Sequence, residues 1–214
     1  MTEERARVGL VLSAGASVRF GGAPKALARV GDGSALQRIH SLLESAGVPW
    51  VRVVLGPHSD EIRAGLPRSV TARIDWVEHR DWERGRTGSI QAGLAGLPED
   101  ADVVLWPVDH PFVSSSTLPV LLGIAREDPM AVWVLPEFRG HGGHPVILAP
   151  PTRASIFELG PDQPLRDLLP RFGPQVRRVP VEDAGVVANL NTWEEYAAAR
   201  AAGLPWEDRS WTER

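Results

Sequence analysis

The sequence predicts an α/β fold with a largely parallel central sheet. Three observations carry this expectation. Apolar runs such as residues 8–12 (Val-Gly-Leu-Val-Leu) and 103–108 are continuous, as in strands buried on both faces. Segments of helical period alternate with such runs along the chain. Two capping boxes, Ser34 with Gln37 and Thr192 with Glu195, mark helix starts.

Residues 8–12 form the first strand, leading into a loop of Gly and small residues over 13–24. A helix follows Ser34, with Leu36, Ile39, Leu43 and Ala46 on one face and Gly47 where a terminating glycine belongs. Strands are expected over 50–55 and 72–77, with a short helix over 59–66 between them. The next helix, over 87–97, places Ile90, Leu94 and Leu97 on one face. A strand over 103–108 precedes a helix over 116–126. Strands over 131–135 and 145–148 flank a Gly/His loop, and short helices follow near 152–159 and 165–172. Strands near 176–181 and 186–190 come next, then a last helix from Thr192 to about Ala202. With no repeat or linker, residues 1–205 read as one domain and 206–214 as a tail.

The composition (43% apolar, 23% charged) excludes a disordered chain, and the absence of cysteine excludes thiolate chemistry and disulfide scaffolds. A net charge of −4 without a basic cluster argues against nucleic-acid or membrane partners. No apolar run suits a signal peptide or membrane span, so a soluble, cytoplasmic protein is expected.

Ligands of open α/β sheets gather beyond the carboxyl ends of strands, and three polar segments fall there. The first is residues 12–25, Leu-Ser-Ala-Gly-Ala-Ser-Val-Arg-Phe-Gly-Gly-Ala-Pro-Lys. Its small residues let backbone N–H groups approach a polyphosphate, and Arg19 and Lys25 can neutralise one. It is neither a Walker A loop nor a dinucleotide loop, and by residue type alone a tight turn with two solvated cations reads equally well. The second is Asp109-His-Pro-Phe-Val, where a carboxylate leaves a buried strand, either to hold Mg²⁺ or simply to make a turn before proline. The third is Asn189-Leu-Asn191-Thr, either a ligand-binding or a plain capping loop. His141 and His144 stand three apart on a glycine loop, a spacing open to a metal pair but more often a polar loop.

Residues 12–25 resemble the N-terminal signature of nucleotidyltransferases, Leu-Ala-Ala/Gly-Gly-x-Ser-x-Arg-Met/Phe-Gly-x-x-Lys. The branch they most resemble is the molybdenum-cofactor cytidylyl- and guanylyltransferases (MobA-like NTP transferases). Methylerythritol-phosphate cytidylyltransferases and sugar-phosphate nucleotidyltransferases are also similar. The resemblance extends through Trp82-x-x-Gly85-x-x-x-Ser89, Asp109-x-Pro-Phe-Val, Gly143-His-Pro-Val and Asn189-Leu-Asn-Thr, in family order. Ser13 for Ala, Trp193 for Pro and His79 for a frequent Asn are departures.

The resemblance implies a Rossmann-like, three-layer fold of the nucleotide-diphospho-sugar transferase (GT-A) type, with a mostly parallel mixed sheet. It implies transfer of a nucleoside monophosphate from a nucleoside triphosphate to a phosphorylated small-molecule acceptor such as molybdopterin, with release of pyrophosphate. Arg19, Lys25 and Asp109 are the implied catalytic residues. Leu12, Ser13, Ala14, Gly15, Ser17, Arg19, Lys25 and Ser89 are the implied nucleotide site. Asp109 and Asn189 would hold Mg²⁺, and His144 would face the acceptor. Phe20-Gly-Gly and Gly-His-Pro-Val resemble the cytidylyl branch and favour CTP, whereas Asn-Leu-Asn-Thr resembles the guanylyl one. Competing readings are a sugar-phosphate or other small-phosphate nucleotidyltransferase and a non-catalytic nucleotide-binding regulator. A glycosyltransferase is disfavoured because Asp100-Ala-Asp102 precedes its strand, and a serine hydrolase because no Gly-x-Ser-x-Gly occurs.

Overall fold

A computed structural model describes residues 5–201; the expected 206–214 tail lies outside the described residues. In chain order the elements are β1 (Arg7–Ser13), β2 (Arg29–Val30), β3 (Gly33–Ser34), α1 (Ala35–Ser45), β4 (Trp50–Leu55), α2 (Ser59–Gly65), α3 (Arg68–Thr71) and β5 (Ile74–Glu78). Then come α4 (Arg86–Leu94), β6 (Asp102–Pro107), α5 (Thr117–Glu127), β7 (Trp133–Phe138), β8 (His141–Gly142) and β9 (Val146–Leu148). The chain continues through α6 (Pro150–Ile156), α7 (Leu169–Phe172), β10 (Val176–Pro180) and α8 (Trp193–Ala201). Among the described residues no helix is long and apolar enough to cross a membrane.

The central sheet runs β10-β7-β9-β6-β1-β4-β5, with β8 on β7, while β2 and β3 form a separate hairpin. Strands β6, β1, β4 and β5 are mutually parallel, as are β7 and β10; β9 runs antiparallel to both β6 and β7. The parallel group explains the continuous apolar runs, because each of its inner strands is covered on both faces. Val8, Leu10 and Leu12 of β1 join one core cluster with Ile90 and Leu94 of α4 and Ile156 of α6. Val11 joins the other, with Leu36, Ile39 and Leu43 of α1 and Leu118 and Leu121 of α5. The fold is therefore three-layered, helices on sheet on helices, as expected.

Both capping boxes form. The Ser34 hydroxyl accepts from Gln37 N–H while the Gln37 side chain accepts from Ser34 N–H. The Thr192 hydroxyl accepts from Glu195 N–H, and the Glu195 carboxylate accepts from Thr192 N–H. Gly47 takes φ 79°, and Val48 N–H returns to the Leu43 carbonyl, which ends α1.

One expected element is corrected. Residues 186–190 are not a strand: a 3-10 turn, Ala184–Val186, leads into irregular chain. The apolar spacing there reflects burial against loops. Val186 and Leu190 are fully buried, the Val186 carbonyl accepts from His144 N–H, and Leu190 N–H donates to the Asp109 carbonyl. Smaller shifts have local causes. Arg68–Thr71 coils before β5, so that strand starts at Ile74, and α4 stops at Leu94 with Leu97 buried beyond its end.

Candidate active site

The carboxyl ends of β1 and β6 open onto a cleft of about 310 Å³. Its floor is built by the loop after β1. Leu12, Ser13 and Ala14 leave the strand buried, and Ser17 turns the chain in a left-handed conformation, φ 53°. A non-glycine residue there stores local strain, which the surrounding bonds must hold. Phe20 and Gly22 N–H both donate to the Ser17 carbonyl, and the ring of Phe20 is anchored in the core. The loop then closes at the 3-10 turn Lys25–Leu27, pinned by buried Ala26. Arg19 belongs to the 3-10 turn Val18–Phe20, but its side chain lies outside the described residues. The Lys25 ammonium points across the cleft and donates to Asn191 Oδ1 at 2.7 Å.

Asp109 lies just past β6, and its backbone is clamped from three sides. Val108 N–H donates to the Leu12 carbonyl, His110 N–H to the Pro107 carbonyl, and Leu190 N–H to Asp109 itself. The buried indole of Trp106 donates to the His110 carbonyl at 2.9 Å. Arg38 of α1 braces the following loop through the carbonyls of Pro111 and Val113. The carboxylate accepts from His110 Nδ1 through Oδ1 at 3.0 Å, and its Oδ2 lies 3.9 Å from the Arg86 guanidinium. Burial opposes its ionisation, but the His110 hydrogen bond and the charges of His110, Arg86 and Lys25 outweigh burial. The carboxyl is held well below the usual carboxylate range. It is an anion with the Arg86 guanidinium and the Lys25 ammonium in its neighbourhood.

The opposite wall is the start of α4. Gly85 enters the helix at φ 136° with its Cα facing Pro161 and Asp162; a Cβ there would come within 2.3 Å of the Pro161 carbonyl oxygen. Gly88 N–H donates to that same carbonyl. Farther along, Gly93 leaves room for Leu10 and Val54, so the helix lies close on the sheet and Ser89, buried, faces the cleft.

Leu12, Ser13, Ala14, Gly15, Ser17, Lys25, Ser89 and Asp109 all line this one cleft. Asn189 is exposed and outside the lining; Asn191 is the asparagine that lines it. His144 lines a second cavity of about 540 Å³ next to the first, with Ile90, Leu105, Trp133, Leu135, Val146 and Leu165 among its apolar walls. Its ring stands edge-on to His110 at 4.7 Å, and its Nδ1 is buried without a partner. Burial, followed by the charge of His110, pushes its pKa down to about 3, so the ring is neutral. Sequence reasoning did not single out Arg86, His110 or Arg38. No spacing rule marks a side chain whose relevance comes from the turn that carries it.

The glycine-rich loop faces an ionised aspartate across the carboxyl edge of a mixed α/β sheet, where ligands of such sheets gather. The class of protein, a nucleotidyltransferase, follows from the family match. Residues 9–179 match the MobA-like NTP transferase domain, and the chain belongs to that family. Its fold is similar to that of Rv0371c from Mycobacterium tuberculosis H37Rv, at 26% identity and TM-score 0.78 over 91% of this chain and 96% of that one. It is also similar to the Rv0371c homolog from Mycobacterium sp. strain JC1, at 25% identity and TM-score 0.75 over 93% and 98%. A structure of Rv0371c in complex with manganese aligns at 23% identity and TM-score 0.72, over 91% and 97%, and bears on the fold alone.

Proposed function

We propose that this enzyme transfers a nucleoside monophosphate from a nucleoside triphosphate, CTP before the others, to the phosphate of a small acceptor of molybdopterin type. Pyrophosphate is the second product. One observation carries the reading: Lys25, Asp109 and the glycine-rich loop share a cleft of mixed polar and apolar lining that adjoins a larger cavity with mostly apolar walls. The cleft suits a triphosphate and the cavity suits its acceptor.

The triphosphate lies along residues 12–17, where backbone N–H groups and the Lys25 ammonium meet its charge. Ser89 offers a hydroxyl to the sugar or base. An ionised acceptor oxygen attacks the α-phosphorus, the new P–O bond forms, and the bond to the β-phosphate oxygen breaks. The attacking oxygen carries its own charge, so the chain's task is to align two anions and offset their repulsion. Lys25 and Arg19 stabilise the charge that grows on the leaving pyrophosphate. His144, neutral and with a buried nitrogen to offer, faces the acceptor.

Asp109 fits a divalent cation. It is ionised, and its Oδ2 is not taken by His110 and meets the Arg86 guanidinium only at 3.9 Å, longer than a hydrogen bond, while Asn191 Oδ1 is engaged by Lys25. Such a sparse set leaves most of a Mg²⁺ shell to phosphate oxygens and water, as that ion prefers. Asp109 would hold Mg²⁺ directly, and the exposed Asn189 is assigned an outer, water-holding place. When bound, the ion supplies charge neutralisation at the α-phosphate.

Thermal-shift titration with CTP, GTP, ATP and UTP in Mg²⁺ tests the nucleotide half. A ligand at a hundred times its Kd stabilises by about 2.7 kcal/mol. For a chain of this size that raises Tm by roughly 5–11 °C. CTP is expected to give the largest rise; four equal or absent shifts overturn the reading.

A further inference from the structure

Resting on the proposed transfer reaction, we infer that Arg86 is a catalytic residue that spans the α-phosphate of the nucleotide and the phosphate of the acceptor. Among the described residues, three line both the Asp109 cleft and the larger cavity: Leu12, Pro107 and Arg86. Two of these are apolar walls. The third is a guanidinium at the border where the two anions of the reaction must meet.

Its anchoring supports this place. Arg86 is the first residue of α4, and the backbone around it is fixed by Gly85 against Pro161 and by the Gly88 N–H bond to the Pro161 carbonyl. The side chain is otherwise loosely held: it is 66% exposed, and its contact with Asp109 Oδ2, at 3.9 Å, is an ion pair longer than a hydrogen bond. The carboxylate is buried but the guanidinium is solvated, so the pair is held by charge alone and not by a directed hydrogen bond. The guanidinium can leave the carboxylate when phosphate oxygens arrive, without losing a buried hydrogen bond.

The chemistry asks for such a group. As the acceptor oxygen closes on the α-phosphorus, two anionic phosphates approach within bonding distance, and their repulsion peaks in the transition state. A planar fork of donors can hold an oxygen of each, whereas an ammonium acts as a point charge. The bond made and the bond broken are those already described; Arg86 transfers no proton. Lys25, across the cleft beside Asn191, faces the leaving-group side instead.

The test compares wild type, Arg86→Ala and Arg86→Lys with CTP, Mg²⁺ and molybdopterin, reading pyrophosphate release and, separately, the Kd for CTP·Mg²⁺. Because the side chain is exposed, both variants are expected to keep the wild-type Tm. Arg86→Ala should lower kcat by roughly 10²–10³-fold, the range for loss of one preorganised charge-stabilising donor. CTP affinity should change by less than about threefold, since the contact matures only in the transition state. Arg86→Lys should recover only part of the loss. Arg86→Ala with unchanged kcat, a loss confined to CTP affinity, or full rescue by lysine overturns the inference while leaving the proposed reaction intact. A wild-type enzyme that releases no pyrophosphate overturns the proposed reaction and this inference with it.

Discussion

Replacing Asp183 with alanine should loosen residues 183–190 from the start of α5. Asp183 is buried just before the Ala184–Val186 turn. Its Oδ2 accepts from Ser114 N–H at 2.8 Å and from the Thr117 hydroxyl at 2.6 Å, and its Oδ1 accepts from Gly185 N–H at 2.9 Å. These bonds join residues 183–190 to the start of α5. A hydrogen bond to a charged acceptor contributes about 1.5–3 kcal/mol, but the three share one carboxylate and are not additive. Asp183→Ala should therefore cost about 3–5 kcal/mol, and lower Tm by roughly 6–20 °C. Asp183→Asn keeps acceptors for part of the set and should cost about half as much. Urea unfolding at pH 7 is the assay, with the slope unchanged if only stability moves. A loss below about 1 kcal/mol for the alanine variant would refute the view that this carboxylate holds the two segments together.

Lys25→Ala should lower kcat by roughly 10²–10³-fold in steady-state pyrophosphate release, and an effect on KM alone would leave Lys25 a plain binder. Gly85→Ala should cost about 2–4 kcal/mol, because it adds a Cβ against the Pro161 backbone and strains a φ of 136°; an unchanged urea midpoint would contradict it. Histidine 144 should make the protein acid-sensitive. Unfolded His144 binds a proton below its ordinary pKa of 6.5, while the folded ring stays neutral down to about 3. Its contribution is thus complete above 6.5 and lost as pH falls through that window, about 1–2 kcal/mol by pH 5. Melting curves from pH 7.5 to 5 should fall less steeply for His144→Asn, and parallel curves would show that the ring does not titrate in this way.

The layers of the fold were legible because they follow from local rules. The apolar runs of β1 and β6, both capping boxes and Gly47 each fix their own stretch of chain, and each stands where expected. Residues 186–190 show where such rules stop. Alternating burial looks the same whether the partner is a strand or a loop, and here Leu190 pairs with the Asp109 carbonyl. The cleft was legible through motif positions, since the glycine-rich loop and Asp109 sit at strand ends. The difference between Asn189, exposed, and Asn191, turned to Lys25, depends on an irregular backbone that no periodicity encodes. The same holds for Arg86, His110 and Asp183, whose partners are distant in sequence or set by a single turn.

The central claim is nucleotidyl transfer at Asp109, and pyrophosphate release tests it most directly. Wild type and Asp109→Asn, given CTP, Mg²⁺ and molybdopterin, should separate clearly. The wild type should release one pyrophosphate per cytidylylated acceptor, and the variant, which keeps the side chain's shape but loses its charge, should be slower by about 10²-fold or more. No release by the wild type with any of the four triphosphates, or full activity in Asp109→Asn, would contradict the account.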